Sequence, residues 1–224
     1  MGNVSERRKQ PPQVGVSVVI LALGPVPQSD VGAGAASSGM GSTLWMPLVK
    51  RVRQPFLGQW ALPGGGLRAD HSLEQSAYAA LESTTSLHPK YLEQLYTFGD
   101  PARSHGGLTM VFWALVGEAD GRIDFAGGDN VKWFPVNHLP ELAFDHRTIV
   151  EYAMNRLRGK IESPDIATRL VGERFTLSQL HDVYEAIAGQ RIDLANFRRK
   201  MLASGLLEDT GEKLRIGRNR PAGV

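Results

Sequence analysis

The chain has 224 residues, 42% of them hydrophobic and 21% charged, with a formal net charge of +2, the balance of a globular protein of one or two domains. It has no cysteine, which excludes disulfides, zinc–thiolate sites and cysteine nucleophiles. Its six histidines (71, 88, 105, 138, 146 and 181) never repeat at metal-ligand spacing, and no run approaches the ~20 apolar residues that span a bilayer. The N-terminus lacks a signal-peptide core, and Glu6 stands where a myristoylation signal wants Ser or Thr. A cytoplasmic protein with no membrane partner is expected.

In chain order, residues 1–12 read as a disordered arm and 14–23 (VGVSVVILAL) as a buried strand, rich in Val and Ile. Residues 24–41, built of Gly, Ser and small side chains, form a flexible insertion. A second strand covers 43–52, with Arg51 and Arg53 at its end. The stretch WALPGGG then predicts a tight glycine turn. Next comes a helix over about 72–86, with Ser72 as N-cap, Gln75 as capping-box partner, and Leu73, Ala77, Ala80, Leu81 and Thr84 at helical steps. Further strands are expected at 91–99, 108–116 and 131–134. A helix starting near Asp145 carries Ile149, Tyr152, Ala153 and Leu157 on one stripe. The sum is an α/β/α sandwich over residues 13–160.

After a connector at 161–172, a second unit spans 173–224. Thr176 and Gln179 form a capping box for a helix whose apolar stripe is Leu177, Leu180, Tyr184 and Ile187, ended at Gly189. Asp193 caps a helix over 194–203, stopped by Gly205, and a turn at Thr210–Gly211 lies between short strand-like pieces. Helix, turn, helix and basic hairpin make a winged helix-turn-helix pattern, so the whole is α+β. From Arg191 onward eight basic residues oppose four acids. On the second helix Leu194, Phe197, Met201 and Leu202 share one side. Asn196, Arg199 and Lys200 share the other, with Arg198 near the apolar edge. Asn could read adenine and Arg guanine, while Lys213, Arg215, Arg218 and Arg220 on the hairpin would hold phosphates. The competing reading is a small dimerisation unit with an ordinary charged face.

The segment from Gly65 to Leu87 resembles the Nudix box, G-x5-E-x7-R-E-U-x-E-E-x-G-U with U aliphatic, and fits it without a gap. Its chemistry is missing: the first Glu is His71, the Arg-Glu pair is Ala79–Ala80, the Glu-Glu pair is Ser83–Thr84, and the late Gly is Ser86. Positions 80, 83 and 84 share one helix face, where carboxylates would hold Mg²⁺ against a pyrophosphate. Alanine and two hydroxyls cannot replace them, so no catalytic residue and no metal are expected.

Both halves together resemble the Nudix-related transcriptional regulators of NAD metabolism, the NrtR family. The resemblance is carried by WALPGG (60–65), LYTFGDPAR (95–103), LAFDHRTIV (142–150), ERFTLSQLHDVYEAI (173–187) and NFRRKMLASGLLEDTG (196–211). It implies a homodimeric repressor on a palindromic double-stranded DNA operator, with a hydrolytically impaired Nudix domain that senses ADP-ribose or a related nucleotide and releases the DNA. Without a metal, the pyrophosphate would need backbone N–H groups and arginines. The candidates are Gly64, Gly65 and the adjoining Gly66, with Arg51, Arg53 and Arg103; Trp60 or Phe56 could stack on adenine. Two alternatives stand beside this reading: a Nudix hydrolase using acids outside the box, and a nucleotide sensor that docks on a protein partner.

Overall fold

The computed structural model of the protein describes residues 13–27, 42–103, 107–117, 120, 123–161, 164–172, 174–214 and 222–223. The expected arm at 1–12 and most of the 24–41 insertion lie outside these residues. Strand β1 (Val14–Pro25) is buried from Val16 to Ala22, as an unbroken apolar run predicts for a strand covered on both faces. Along one edge it pairs in parallel with β6 (Leu108–Val116), and β6 pairs antiparallel with the edge strand β5 (Tyr91–Phe98). Along its other edge β1 changes partner. It pairs with β4 (Gly64–Gly66) through Gly15–Ser17 and with β2 (Ser42–Lys50) through Ala22–Pro25. Two further strands, β3 (Trp60–Ala61) and β7 (Val131–Pro135), complete the sheet along β2.

WALPGGG is therefore no tight turn. Its glycines form a short strand laid on β1, and only one of them is sterically required. A Cβ on Gly64 would lie 2.2 Å from the Val16 carbonyl oxygen and 2.9 Å from Ser17 Cα, whereas one on Gly65 or Gly66 meets nothing within 4 Å. The close approach of two backbones at Gly64 is what Gly supplies here.

Alternation along β1 sorts the two cores. Val16, Val18, Ile20 and Ala22 face helix α1 (Leu73–Thr85), packing with Ala77, Leu81 and Leu87. The helix begins as expected, with the reciprocal Ser72–Gln75 capping box. Val19 and Leu21 face the opposite way, into a larger core shared with Leu44, Met46 and Leu48 of β2. Helix α2 (His146–Lys160) covers that core with Ile149, Val150, Ala153, Met154 and Leu157. Tyr152, expected in its apolar stripe, instead lies at the surface against Tyr96 and Phe98, because the buried arc is centred one position away.

The connector at 161–172 is largely helical. Helix α3 (Pro164–Val171) buries Ile166, Ala167 and Leu170 in the same core. Helices α4 (Leu177–Ala188) and α5 (Leu194–Ala203) follow with the expected caps at Thr176, Gly189 and Asp193. On α4 the buried set is Leu180, His181, Val183, Tyr184 and Ile187, with Leu177 half-buried. On α5 only Phe197 and Met201 are buried. Leu194 and Leu202 are 42% and 64% exposed, so the expected four-residue stripe is a two-residue one. A ten-residue helix resting on one neighbour needs no wider contact. Strands β8 (Lys213–Leu214) and β9 (Ala222–Gly223) pair antiparallel. The turn at Thr210–Gly211 therefore precedes this hairpin instead of forming its tip.

Leu180, Val183 and Ile187 lie in one cluster with the β2 and α2 side chains, so the C-terminal unit is built onto the sheet. The link between β3 and β4 is tied to the start of α2 by a buried bond: the Leu62 N–H donates to His146 Nδ1 at 2.9 Å. Burial pushes the His146 imidazole down to about 4 from an ordinary 6.5, since a charged ring there would be poorly hydrated.

Two outcomes follow. Ile187→Ala is expected to cost about 2–5 kcal/mol and to shift one cooperative melt of the whole chain, read alike by circular dichroism and by the fluorescence of the four tryptophans, all of which precede residue 134. Loss confined to a separate C-terminal transition would contradict the shared core. For His146, the unfolded chain takes up the proton first as pH falls. Its contribution is thus complete above about pH 6.5 and lost toward pH 4, worth about 3 kcal/mol in all. Urea unfolding across that window should show a shallower loss in His146→Asn, whose amide oxygen can take the Leu62 bond without titrating.

Candidate functional site

A cleft of about 440 Å³ lies where the start of β1 runs between β4 and the start of β6, beside the start of α2. Its floor is Gly15, Ser17 and Thr109, its sides are Gly64–Gly66 and the segment Phe144–His146, and Arg51 and Arg103 reach into it. In the β1–β4 ladder, Leu67 N–H donates to Val14 O and Val18 N–H donates to Pro63 O. Antiparallel alternation therefore commits Gly65 N–H to β1 and turns those of Gly64 and Gly66 away from it. The useful backbone donors of the expected nest are Gly64 and Gly66 more than Gly65.

The candidate side chains divide. Arg51 lines the cleft with its guanidinium 4.5 Å over the Phe144 ring, and is steadied by the Pro55 carbonyl at 2.8 Å. Phe56 sits behind that wall, edge-on to Phe144 at 4.8 Å. Arg53 is exposed and contributes its carbonyl to Arg51 at 3.5 Å. Trp60 is a packing residue, edge-on to Phe134 at 5.1 Å and bonded through its carbonyl to Ala143 N–H. Neither Arg53 nor Trp60 lines the cleft.

Arg103 does, but every N–H of its guanidinium faces an acceptor. Nε and Nη2 clamp the Asp145 carboxylate at 2.5 and 2.9 Å; Nη1 meets the Phe98 and Gly107 carbonyls at 2.5 and 3.4 Å, and Nη2 also meets Thr109 Oγ1 at 3.3 Å. Arg103 holds Asp145 below the usual carboxylate range, against the opposing effect of burial. Residue-type reasoning missed Phe144, Asp145 and His146 as cleft residues. Their signal was the LAFDHR string, which the helix pattern had already used for its start.

The Nudix box positions do not suit a metal. Ser83 Oγ and Thr84 Oγ1 both donate back to the Ala80 carbonyl, at 3.0 and 2.7 Å, and Ala80 offers no ligand. Mg²⁺ needs several hard oxygens in octahedral array, and this face supplies none that is free and charged. Among the described residues His181, Asp182 and Glu185 of α4 lie close together. Two of the three are already engaged in closing the turn before α5: His181 Nε2 on Ile192 O, and Glu185 Oε1 on Ile192 N–H, each at 2.8 Å.

In the C-terminal unit, Asn196, Arg198, Arg199 and Lys200 are all exposed on α5. Arg198 is exposed between Leu194 and Leu202, which stand one turn to either side and are themselves exposed. No acid interrupts Leu194–Ala203, and Arg199 donates to Asn196 Oδ1 at 2.6 Å. Lys213 is in β8, whereas Arg215, Arg218 and Arg220 lie outside the described residues. An outward basic face on the second helix of a helix-turn-helix is the arrangement that enters a major groove.

Comparison with known proteins accounts for both halves. Residues 33–153 match the NUDIX domain model, and residues 167–224 match the NrtR DNA-binding winged helix domain. The ADPR-responsive transcriptional repressor NtrR of Acinetobacter baylyi is 31% identical over 181 residues, 78% of this chain and 72% of that protein. An ADP-ribose pyrophosphatase of Methanocaldococcus jannaschii is 31% identical over 115 residues, half of this chain and 67% of that one. A crystal structure of Shewanella oneidensis NrtR with a 27-mer DNA superposes with a TM-score of 0.73 at 34% identity, covering 94% of this chain and 91% of that one. The Nudix domain of the same protein with ADP-ribose matches at a TM-score of 0.50 and 31% identity, over 69% of this chain and 94% of that domain. The chain belongs to the family of Nudix-domain transcriptional repressors to which NrtR gives its name.

Proposed function

We propose that the protein is a DNA-binding transcriptional repressor of genes of NAD metabolism whose Nudix cleft senses ADP-ribose or a closely related nucleotide. The observation that carries this reading is a single core joining an arginine-lined cleft to a winged helix with an outward basic face. Family membership supports the same assignment. The ligand's pyrophosphate would lie across the Gly64 and Gly66 N–H groups and the Arg51 guanidinium, with the Phe144 ring as a stacking wall. Two copies would present two α5 helices to a palindromic operator in successive major grooves, about 34 Å apart. Ligand binding would weaken DNA binding only through unequal affinity for the DNA-competent and released arrangements.

The box residues favour a sensor over a hydrolase. With Ala80 and two self-bonded hydroxyls where the acids belong, a bound diphosphate would persist as a signal instead of being cleaved. Such a regulator acts in the cytoplasm, on DNA.

The reading is tested with sheared genomic DNA retained on the immobilised full chain. Specific fragments should be held at ~0.15 M salt and eluted by ADP-ribose. Arg199→Ala should weaken retention at least about tenfold, the scale of one lost base contact, while calorimetry finds its ADP-ribose affinity unchanged. Equal loss of both would contradict the division of labour. Incubation of ADP-ribose with the protein in Mg²⁺ should release no AMP or ribose 5-phosphate; steady turnover would establish the hydrolase instead.

A further inference from the structure

The Arg103 guanidinium has no idle donor, so a ligand phosphate can use it only by displacing one of its partners. Phe98 and Gly107 contribute backbone carbonyls and Thr109 a hydroxyl from inside the sheet. Asp145 is the charged partner and lies at the junction of a loop and a helix. It also occupies the N-cap position of α2 without serving as a cap. Its φ and ψ are −98° and 25°, outside the extended region that N-caps adopt, and its side chain makes no capping bond. The residue before it, Phe144, is held at φ 56°, a left-handed conformation costly for a bulky side chain. An uncapped helix and a strained hinge thus meet where a carboxylate is committed to Arg103.

We propose that Asp145 is the exchange residue of the effector cleft: a phosphate of the ligand replaces it on Arg103, and the freed carboxylate swings to cap α2. This rests on the reading of the cleft as an ADP-ribose site. The exchange makes the trigger selective for chemistry, because only a group with at least the charge of a carboxylate and a bidentate oxygen pair competes for Arg103. A neutral nucleoside or sugar would fill the cleft without moving Asp145. The helix it caps then carries the change onward. Over its 15 residues α2 is about 22 Å long. Its far end reaches the DNA-binding unit, where Arg158 Nε donates to the Ile187 carbonyl of α4 at 3.2 Å and Leu157 packs in the core that holds Ile187. Capping and hinge relaxation at Phe144–Asp145 shift α2 against α4, and with it the seat of α5.

Two substitutions at one position separate the two roles of the carboxylate. Asp145→Asn still caps a helix well but cannot hold Arg103 as an ion pair. Asp145→Ala does neither. Both should bind ADP-ribose about tenfold more tightly than the unaltered chain, a coupling of ordinary size, because the competitor is gone. They should differ on DNA. Asp145→Asn should hold the specific genomic fragments weakly even without ligand, whereas Asp145→Ala should hold them and fail to release them with ADP-ribose. A residue that merely supports the fold would lower both affinities together. Unchanged ADP-ribose affinity in both variants, or identical DNA behaviour in the two, would overturn the exchange. An unaltered chain that binds neither ADP-ribose nor specific DNA would overturn the effector reading itself. Should a variant not melt cooperatively, hydrogen exchange on the unaltered chain reads the same step: ADP-ribose should slow the amides of Arg147 and Thr148, the two within reach of a capping carboxylate at 145, more than that of Ile149, which already donates to the Asp145 carbonyl. No slowing there would exclude the new cap.

Discussion

The structure depends on one sheet face being shared. Val19 and Leu21 of β1 and Leu44, Met46 and Leu48 of β2 are covered by α2, by α3 and by the first helix of the winged unit. Burying that face costs no separate interface, because the residues that stabilise the Nudix sheet also seat the DNA-binding helices. An arrangement of this kind is bistable more than elastic: close-packed side chains exchange one fit for another and do not deform smoothly. A small change at the cleft therefore has a route to α5 that needs no flexible tether. The same sheet makes the cleft, whose floor is the start of β1 between β4 and the start of β6.

Electrostatics divides the molecule as packing unites it. The face that carries acids in Nudix enzymes is neutral here, and its hydroxyls are turned onto their own helix. Positive charge remains in the cleft at Arg51, beside an Arg103 paired with Asp145, and on α5 at Arg198, Arg199 and Lys200. Each site suits a phosphate-bearing ligand, one a small diphosphate and the other a DNA backbone. The two sites share no residue, so the competition proposed between them would be thermodynamic and carried through the fold.

Much of this was legible in the sequence because it rests on periodicity and local bonding. The capping boxes at Ser72 and Thr176, the glycine stop at Gly189 and the strands from Val14 and Leu108 depend on near neighbours in the chain. So does the outward face of α5, where Asn196 to Lys200 follow a buried-position rhythm set by Phe197 and Met201. What the sequence did not show is long-range. Gly64 matters for a backbone that lies far back in the chain at Val16, and Trp60 is drawn into packing by Phe134. Arg103 finds Asp145 across 42 positions. No local pattern marks such pairs, and residue type alone cannot tell a ligand-ready arginine from one already spoken for. Tyr152, Leu194 and Leu202 failed for a related reason: a helical stripe defines a direction, but its width is set by what lies opposite.

The most direct test is a titration of ADP-ribose into the protein alone and into the protein saturated with a retained operator fragment, followed by calorimetry. Coupling between cleft and winged helix is reciprocal, so ADP-ribose must bind more weakly to the DNA complex, by the factor through which it weakens DNA binding. That factor should be at least about fivefold. Equal affinity in the two titrations would mean that the cleft and the recognition helix do not communicate, and would contradict the account.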